Sequence, residues 1–307
     1  MLKIITTGRL GRAFYSAIKD LKAEFEITFT ENPSPGDVAR ADCLAAFSAP
    51  DNVDLSKIKW IHSFGAGVEG FLRRNDIDED TIITRTVGRL GFKMGEFCLC
   101  HMLNFYQHTF KVYENNKLKK WESIHPSSVA DRTVLILGTG EMAKGISSVL
   151  APLRVKCIGV NTSGNKTTDV FSATMKFNNL KTIASKVSCI INTLPLTPDT
   201  VDLLDMDFFH LFNNTLFINV GRGQSVVTAD LLHAIDDSKI VRAVLDVFEN
   251  EPLPEESPLW DHPDIFISPH QSAVTDIDDV MESFLEAHKL IQANERNHLF
   301  VDLKRKY

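Results

Sequence analysis

Nowhere in these 307 residues does an apolar run approach the roughly 18 consecutive residues that a membrane-crossing helix needs. The opening Met1-Leu-Lys-Ile-Ile-Thr-Thr-Gly also lacks the apolar core and small-residue cleavage site of a secretory leader. The expected location is therefore the cytoplasm, with no membrane partner. Basic charge is in short supply: 33 Lys and Arg stand against 40 Asp and Glu, a formal charge of -7, and the pI is near 5.8. Nucleic acid and anionic lipid both reward a basic face, so neither is expected as the main partner. A small molecule is. Cysteine is scarce too. Cys43, Cys98, Cys100, Cys157 and Cys189 are odd in number and mostly embedded in apolar stretches, which favours reduced core thiols over a disulfide framework. Cys98-x-Cys100-His101 has the look of a metal motif, but residues two apart on a helix face different ways. Core packing is the reading there, and no metal site is expected.

What the chain does have is length enough for two cores and an ordinary hydrophobic content of 44%. The N-terminal third alternates short β-like runs with helical stretches: Leu2 to Thr7, a helix from Arg12 to Leu21, then Phe25 to Phe29, Cys43 to Phe47 and Trp60 to Phe64. That rhythm predicts an open parallel sheet. Gly8-Arg-Leu-Gly11 lacks the Gly-x-Gly spacing of a phosphate loop and reads as a tight strand-to-helix turn. From Met94 to Lys120 one long helical region is expected, apolar on more than one side and so in need of two partners, a second subunit among the candidates. A βαβ series follows, with strands at Thr133 to Leu137, Val155 to Val160 and Val187 to Asn192, a helix from Met142, and three more apolar runs separated by short helices such as Thr228 to Ile235. The tail from Ile277 to Asn294 reads as a helix packing back on the first domain.

Leu135-Ile-Leu-Gly138-Thr-Gly140-Glu-Met-Ala143 is a strand running into a Gly-x-Gly-x-x-Ala turn at a helix start. The first glycine permits the turn, the second lets backbone approach a pyrophosphate, and the small third residue keeps helix and strand close. Unpaired amides at the helix start then face the phosphates. The acid that would take the adenosine ribose hydroxyls should end the second strand, but Asn161 stands there, followed by Thr162, Ser163 and Gly164. Without a carboxylate nothing repels a 2′-phosphate, and the hydroxyls with Lys156 or Lys166 offer it partners. NADP(H) is favoured on this reading, with NAD(H) left open because no arginine occupies Thr162.

Each of the last three apolar runs is followed by a polar residue: Arg222, Glu251 and His270. Parallel strands place their C-terminal ends on one edge, so a cation, a carboxylate and an imidazole are expected to share one site. His270 is the proton carrier in this reading, Glu251 holds its second ring nitrogen and supports the charged ring, and Arg222 offers a planar fork to a carboxylate or carbonyl. Singly, each residue has a bland explanation, a structural histidine, a loop cap or a turn. Arg85 and Arg89 read as solvated charge or as carboxylate ligands, and Trp121 as a packing residue or one that reaches a neighbouring subunit's site.

The chain resembles the D-isomer-specific 2-hydroxyacid dehydrogenases. The resemblance rests on Leu137-Gly-Thr-Gly-Glu-Met-Ala143, Thr193-Leu-Pro-Leu-Thr-Pro-Asp-Thr200, Ile218-Asn-Val-Gly-Arg-Gly-Gln-Ser-Val226, Leu245-Asp-Val-Phe-Glu-Asn-Glu-Pro-Leu-Pro254 and Ser268-Pro-His-Gln-Ser-Ala273, with Phe64-Gly-Ala-Gly-Val-Glu69 and Met94-Gly-Glu96 upstream. Within that family it is most similar to the glyoxylate/hydroxypyruvate reductase A type. The resemblance implies an α/β fold of two Rossmann-like/flavodoxin-like domains with parallel sheets and the active site in the cleft between them. Residues 1–95 plus 275–307 would form a discontinuous substrate-binding domain and 96–274 the dinucleotide-binding Rossmann domain. Arg222, Glu251 and His270 would be catalytic, and Ala66, Gly67 and Val68, with Arg222, would bind the substrate. Gly138, Gly140, Glu141 and Met142 would meet the cofactor phosphates, Asn161, Thr162 and Ser163 its ribose, and Leu194 and Pro195 its adenosine side. Val220, Gly221 and Asp246 would complete the cofactor set, Asp246 at the nicotinamide carboxamide. The activity implied is reduction of a small 2-keto acid such as glyoxylate or hydroxypyruvate to a D-2-hydroxy acid by a homodimer. A dinucleotide-sensing corepressor-like protein and a dehydrogenase for another 2-hydroxy acid are the competing readings.

Overall fold

The computed structural model describes residues 1–21, 24–166 and 168–303. By compactness the chain divides into two units, Met1–Leu90 with Val274–Tyr307, and Gly91–Ala273. Residues 304–307, expected at the end of the first domain, lie outside the described residues.

The first unit is a five-stranded, all-parallel sheet: β1 (Leu2–Thr6), β2 (Phe25–Phe29), β3 (Cys43–Ala46), β4 (Trp60–Ser63) and β5 (Ile82–Arg85), in the order β2-β1-β3-β4-β5. This is the flavodoxin-like order. Every residue of β3 and β4 is buried, as a parallel strand covered on both faces requires. Helix α1 (Gly8–Ile18) starts four residues earlier than its apolar pattern predicts. Gly8, at φ 75, makes the turn, and Gly11 comes so near β1 that a Cβ there would meet Thr6 Oγ1 at 2.6 Å. Short α2 (Pro35–Val38) and α3 (Glu69–Leu72) follow β2 and β4.

The last long helix of the chain, Ile277–Ala293, belongs to this first unit. Asp276 and Asp279 cap its start reciprocally, and Asn294 ends it in the left-handed region at φ 56. It packs on α1: Phe284 meets Phe14 edge-on at 4.9 Å and stacks on Trp60 at 4.6 Å.

The second unit holds seven parallel strands: β6 (Thr133–Leu137), β7 (Lys156–Val160), β8 (Ala173–Met175), β9 (Val187–Asn192), β10 (Thr215–Asn219), β11 (Ile240–Leu245) and β12 (Ile265–Ile267), in the order β12-β11-β10-β9-β6-β7-β8. From β6 the chain builds outward to β8, then returns to lay β9 to β12 on the other side. The order therefore reverses between β6 and β9, where an open α/β sheet forms its ligand crevice. Helices α6 (Glu141–Leu150), α7 (Met206–Phe209) and α8 (Thr228–Asp236) lie between these strands in sequence, and Ile277–Ala293 becomes α9.

The expected single helix from Met94 to Lys120 is two helices, α4 (Leu90–Tyr106) and α5 (Thr109–Lys117), broken at His108, whose φ of 53 no helix interior accepts. Met94, Cys98, Met102 and Tyr106, four residues apart, form one buried stripe of α4 against Val134, Ile146 and Ile218. Beyond the break the stripe ends, and Phe110, Val112 and Tyr113 are exposed. Gly91, Gly95 and Gly145 let α4 and α6 cross in backbone contact; a Cβ on Gly145 would lie 2.2 Å from the Gly91 carbonyl carbon.

Candidate active site

Arg222, Glu251 and His270 all follow the C-terminal ends of adjacent strands β10, β11 and β12. Glu251 and His270 meet directly: His270 Nδ1 and Glu251 Oε2 are 2.7 Å apart. The carboxylate's other oxygen accepts the Phe248 amide at 3.0 Å, which fixes its orientation. With Nδ1 donating to Glu251, Nε2 is the ring nitrogen without a partner among the described residues. His270 itself is held in the left-handed region at φ 50, a conformation a non-glycine residue keeps only where its surroundings impose it.

Asp246 imposes it. Its backbone carbonyl accepts the His270 amide at 2.9 Å. Its carboxylate accepts from Ser268 Oγ at 2.6 Å and the Gln271 amide at 2.8 Å on one oxygen, and from the Ser272 amide at 2.9 Å on the other. The side chain is fully buried, so three local donors stand in for its hydration. Sequence reasoning reached Asp246 only through the resemblance, as a nicotinamide contact; its partners in the structure are those of a clamp on the loop that carries His270.

Arg222 is placed by its two glycine neighbours. A Cβ on Gly221 would lie 2.9 Å from the Leu194 amide nitrogen, and one on Gly223 would lie 1.9 Å from the Phe248 carbonyl carbon, so backbone passes where side chains would be. Beneath it two buried amides join the loops after β9 and β10. Asn192 donates to Asn219 Oδ1 at 2.9 Å and Ser225 Oγ at 2.7 Å, while Asn219 Oδ1 accepts the Gly221 amide at 3.2 Å and Asn192 Oδ1 accepts the Leu194 amide at 3.1 Å. The loop bearing Leu194 and Pro195 is thereby tied to the one bearing Val220, Gly221 and Arg222. Asn192 and Asn219 went unremarked in the sequence, where the signal was a lone amide closing each apolar run.

At the switch point Gly138 has φ 100, and a Cβ there would meet Thr193 Oγ1 at 2.7 Å. Gly140 caps α6 with open space beside it. The first-turn amides of α6, Glu141 and Met142 among them, have no acceptor inside the helix, and buried Ala143 lets that helix sit close on β6. These features fit a dinucleotide pyrophosphate.

Asn161, after β7, spends its whole side chain on its own loop and on the turn after β6. Nδ2 donates to Thr139 Oγ1 and the Asn165 carbonyl, both at 3.1 Å, and Oδ1 accepts the Gly164 amide at 2.6 Å and Ser163 Oγ at 3.2 Å. Thr162 and Ser163 are exposed. The two lysines expected here behave otherwise. Lys156 begins β7 and sits at the opposite edge of the sheet from Asn161, and Lys166 is paired with Asp169 at 3.0 Å.

In the first unit, Ala66, Gly67 and Val68 lie in the turn after β4. No described oxygen accepts from their three amides. Ser63, fully buried, shapes the turn: Ser63 Oγ donates to the Gly67 carbonyl at 3.0 Å and accepts the Gly65 amide at 3.3 Å. Behind Ser63 runs a buried chain. Trp60 Nε1 donates to Thr84 Oγ1 at 2.8 Å, which leaves the Thr84 hydroxyl to donate to His62 Nδ1 at 2.8 Å. Thr86 donates to the Ser63 carbonyl at 3.0 Å, so its oxygen accepts from His62 Nε2 at 3.3 Å. Burial lowers the His62 pKa to about 3 and keeps the ring neutral.

The remaining candidates lie elsewhere. Cys98 is buried, burial pushing its thiol well up, whereas Cys100 is exposed. The His101 ring lies 4.5 Å from both Phe97 and Phe266, and burial lowers its pKa against the opposing pull of Asp246. Arg89 is an exposed charge that is nonetheless paired: Asp279 accepts its amide at 2.9 Å and Asp276 pairs with its guanidinium at 3.4 Å. Trp121 is fully exposed, so a packing role within this chain is excluded.

Comparison with known proteins agrees with this architecture. Residues 99–272 match the family model for the NAD binding domain of D-isomer specific 2-hydroxyacid dehydrogenases. The chain is 29% identical over 286 residues to a glyoxylate/hydroxypyruvate reductase A of Photorhabdus laumondii, covering 89% of this chain and 90% of the relative. A D-isomer specific 2-hydroxyacid dehydrogenase family protein of Aeromonas salmonicida superposes with a TM-score of 0.84 at 28% identity, over 99% of this chain and 100% of that one. The fold is also that of an NADPH-dependent glyoxylate/hydroxypyruvate reductase of Sinorhizobium meliloti, solved with NADP and sulfate, with a TM-score of 0.88, 24% identity and full coverage of both chains. With the family model spanning more than half of its length, the chain belongs to the D-isomer specific 2-hydroxyacid dehydrogenases, oxidoreductases that use a nicotinamide dinucleotide.

Proposed function

We propose that the protein reduces small 2-keto acids, glyoxylate and hydroxypyruvate foremost, to D-2-hydroxy acids with NADPH. The observation that carries this is the 2.7 Å pairing of His270 with Glu251 on a strand edge that also delivers Arg222. The reductase names of the curated relatives and the NADP in the Sinorhizobium structure support the substrate class and the cofactor. When bound, the reduced dinucleotide supplies the hydride. The amides of Ala66, Gly67 and Val68 take the substrate carboxylate, and Arg222 directs its guanidinium N–H groups to the carboxylate and the keto oxygen. His270 donates the Nε2 proton to that oxygen as negative charge develops on it, and Glu251 stabilises the protonated ring and prevents its rotation. The first-turn amides of α6 with Gly138 and Gly140 hold the pyrophosphate. Residues 1–95 plus 275–307 serve the substrate and 96–274 the dinucleotide. The working form is a homodimer, with exposed Trp121 available to the partner.

The test is a matrix of 2-keto acids against NADPH and NADH, run on the wild type and on His270→Asn. Turnover should be highest with the small acids and NADPH. The variant should lose about 10²- to 10⁴-fold in kcat with dinucleotide affinity retained. Nucleotide binding without turnover on any keto acid would instead make the chain a dinucleotide sensor.

A further inference from the structure

The loop after β7, which should meet the adenosine ribose, contains no arginine and no free charge of its own. Asn161 is consumed by the four hydrogen bonds that shape it, Lys166 is held by Asp169, and Lys156 lies at the far end of the strand. A cation does reach the loop from the next strand outward. β8 pairs with β7 so that Met175 lies opposite Val160, and the Asn161 amide donates to the Met175 carbonyl at 3.0 Å. The next residue, Lys176, is therefore set beside Asn161 although fifteen positions separate them. Its stem runs along Gly164. A Cβ at 164 would lie 2.9 Å from Lys176 Cγ and 3.7 Å from Cε, and the backbone there is left-handed at φ 74. The position without a side chain is thus the one the lysine crosses. The Lys176 side chain is exposed, and no carboxylate among the described residues pairs with its ammonium.

We infer that Lys176 supplies the cation for the 2′-phosphate of the adenosine ribose, with the exposed hydroxyl of Thr162 as a neutral donor beside it. The inference rests on the NADPH reading above and adds the residue that sets it. A phosphate monoester gains strongly from a charge-assisted donor, whereas a ribose hydroxyl takes only a weaker, uncharged acceptor's bond from an ammonium. Gly164 is part of the device, because any side chain there would displace the lysine stem.

Binding, independent of turnover, tests it. Titration calorimetry of the full chain with NADP⁺, NAD⁺, 2′-AMP and 5′-AMP compares the wild type with Lys176→Gln, Lys176→Arg and Lys166→Gln. Lys176→Gln should weaken NADP⁺ and 2′-AMP by about tenfold or more while leaving NAD⁺ and 5′-AMP within about twofold. Lys176→Arg should keep the preference, as should Lys166→Gln. Salt should weaken NADP⁺ binding more steeply in the wild type than in Lys176→Gln. A wild type that prefers NADP⁺ together with a Lys176→Gln that keeps that preference overturns the assignment alone. A wild type that binds NAD⁺ as tightly as NADP⁺ overturns the NADPH reading and the assignment with it.

Discussion

Replacing Asp246 by Asn keeps the shape of the side chain, removes its charge, and unbalances a set of hydrogen bonds that only a carboxylate can accept. That carboxylate takes three of them, from Ser268, Gln271 and Ser272, within a fully buried site. An amide has one oxygen. In its better orientation it keeps Ser268 and Gln271 and turns its NH₂ toward the Ser272 amide, donor against donor. One charge-assisted bond is lost, a buried N–H is left without a partner, and the two retained bonds become neutral ones. At ~1–3 kcal/mol for an unsatisfied buried group, the total is about 3 kcal/mol. Much of that falls on the loop that forces His270 to φ 50, a conformation costing ~1–3 kcal/mol to hold. A loop freed to relax would swing the imidazole away from Glu251. At about 1.4 kcal/mol per decade, kcat should drop roughly a hundredfold. The assay combines steady-state kinetics, denaturant unfolding and NADP⁺ titration. Unfolding free energy and kcat should fall together while NADP⁺ affinity moves less than about threefold. A variant with wild-type kcat, or one whose defect is confined to dinucleotide affinity, would refute the clamp; the second result would place Asp246 at the nicotinamide instead.

Two further outcomes concern the first unit. Ser63→Ala removes both closures of the 66–68 turn, so KM for the keto acid should rise about tenfold while saturated kcat and NADP⁺ affinity persist; a drop in melting temperature with KM unchanged would reduce Ser63 to a packing role. His62 couples stability to acid. Its folded pKa is lowered to about 3 from 6.5, so the unfolded chain takes up a proton that the folded one refuses. Its contribution is complete above the unfolded pKa of 6.5 and is lost as pH falls toward 3, by about 3 kcal/mol at pH 4. His62→Gln should show a shallower loss of stability over that window, and parallel slopes for the two proteins would show that His62 is not the group responsible.

The dinucleotide turn and the trio were legible because their signals are local. Gly138, Gly140 and Ala143 carry their spacing with them, and Arg222, Glu251 and His270 each follow an apolar run that becomes a strand of the same parallel sheet. The features that escaped depend on pairing between distant segments. Lys156 is five residues from Asn161 in sequence, but an extended strand advances ~3.3 Å per residue and carries it to the opposite edge. Lys176, three times as far along the chain, is brought adjacent by the β7–β8 register. The break at His108 was hidden because apolar residues continue across it into α5, where Val112 and Tyr113 are exposed. β8 was missed as a three-residue strand with little apolar pattern. The clamp role of Asp246 needed the fold of 268–272, which no spacing reveals.

Arg222 stands between two positions at which no side chain fits: backbone of Leu194 occupies the space beside Gly221, and that of Phe248 the space beside Gly223. Random mutagenesis will therefore find this stretch silent, every replacement of either glycine being purged before substrate preference is ever selected upon. Laboratory evolution of substrate preference has to draw its variation from positions other than 221 and 223, so the backbone path through residue 222 stays constant whatever side chain is tried there.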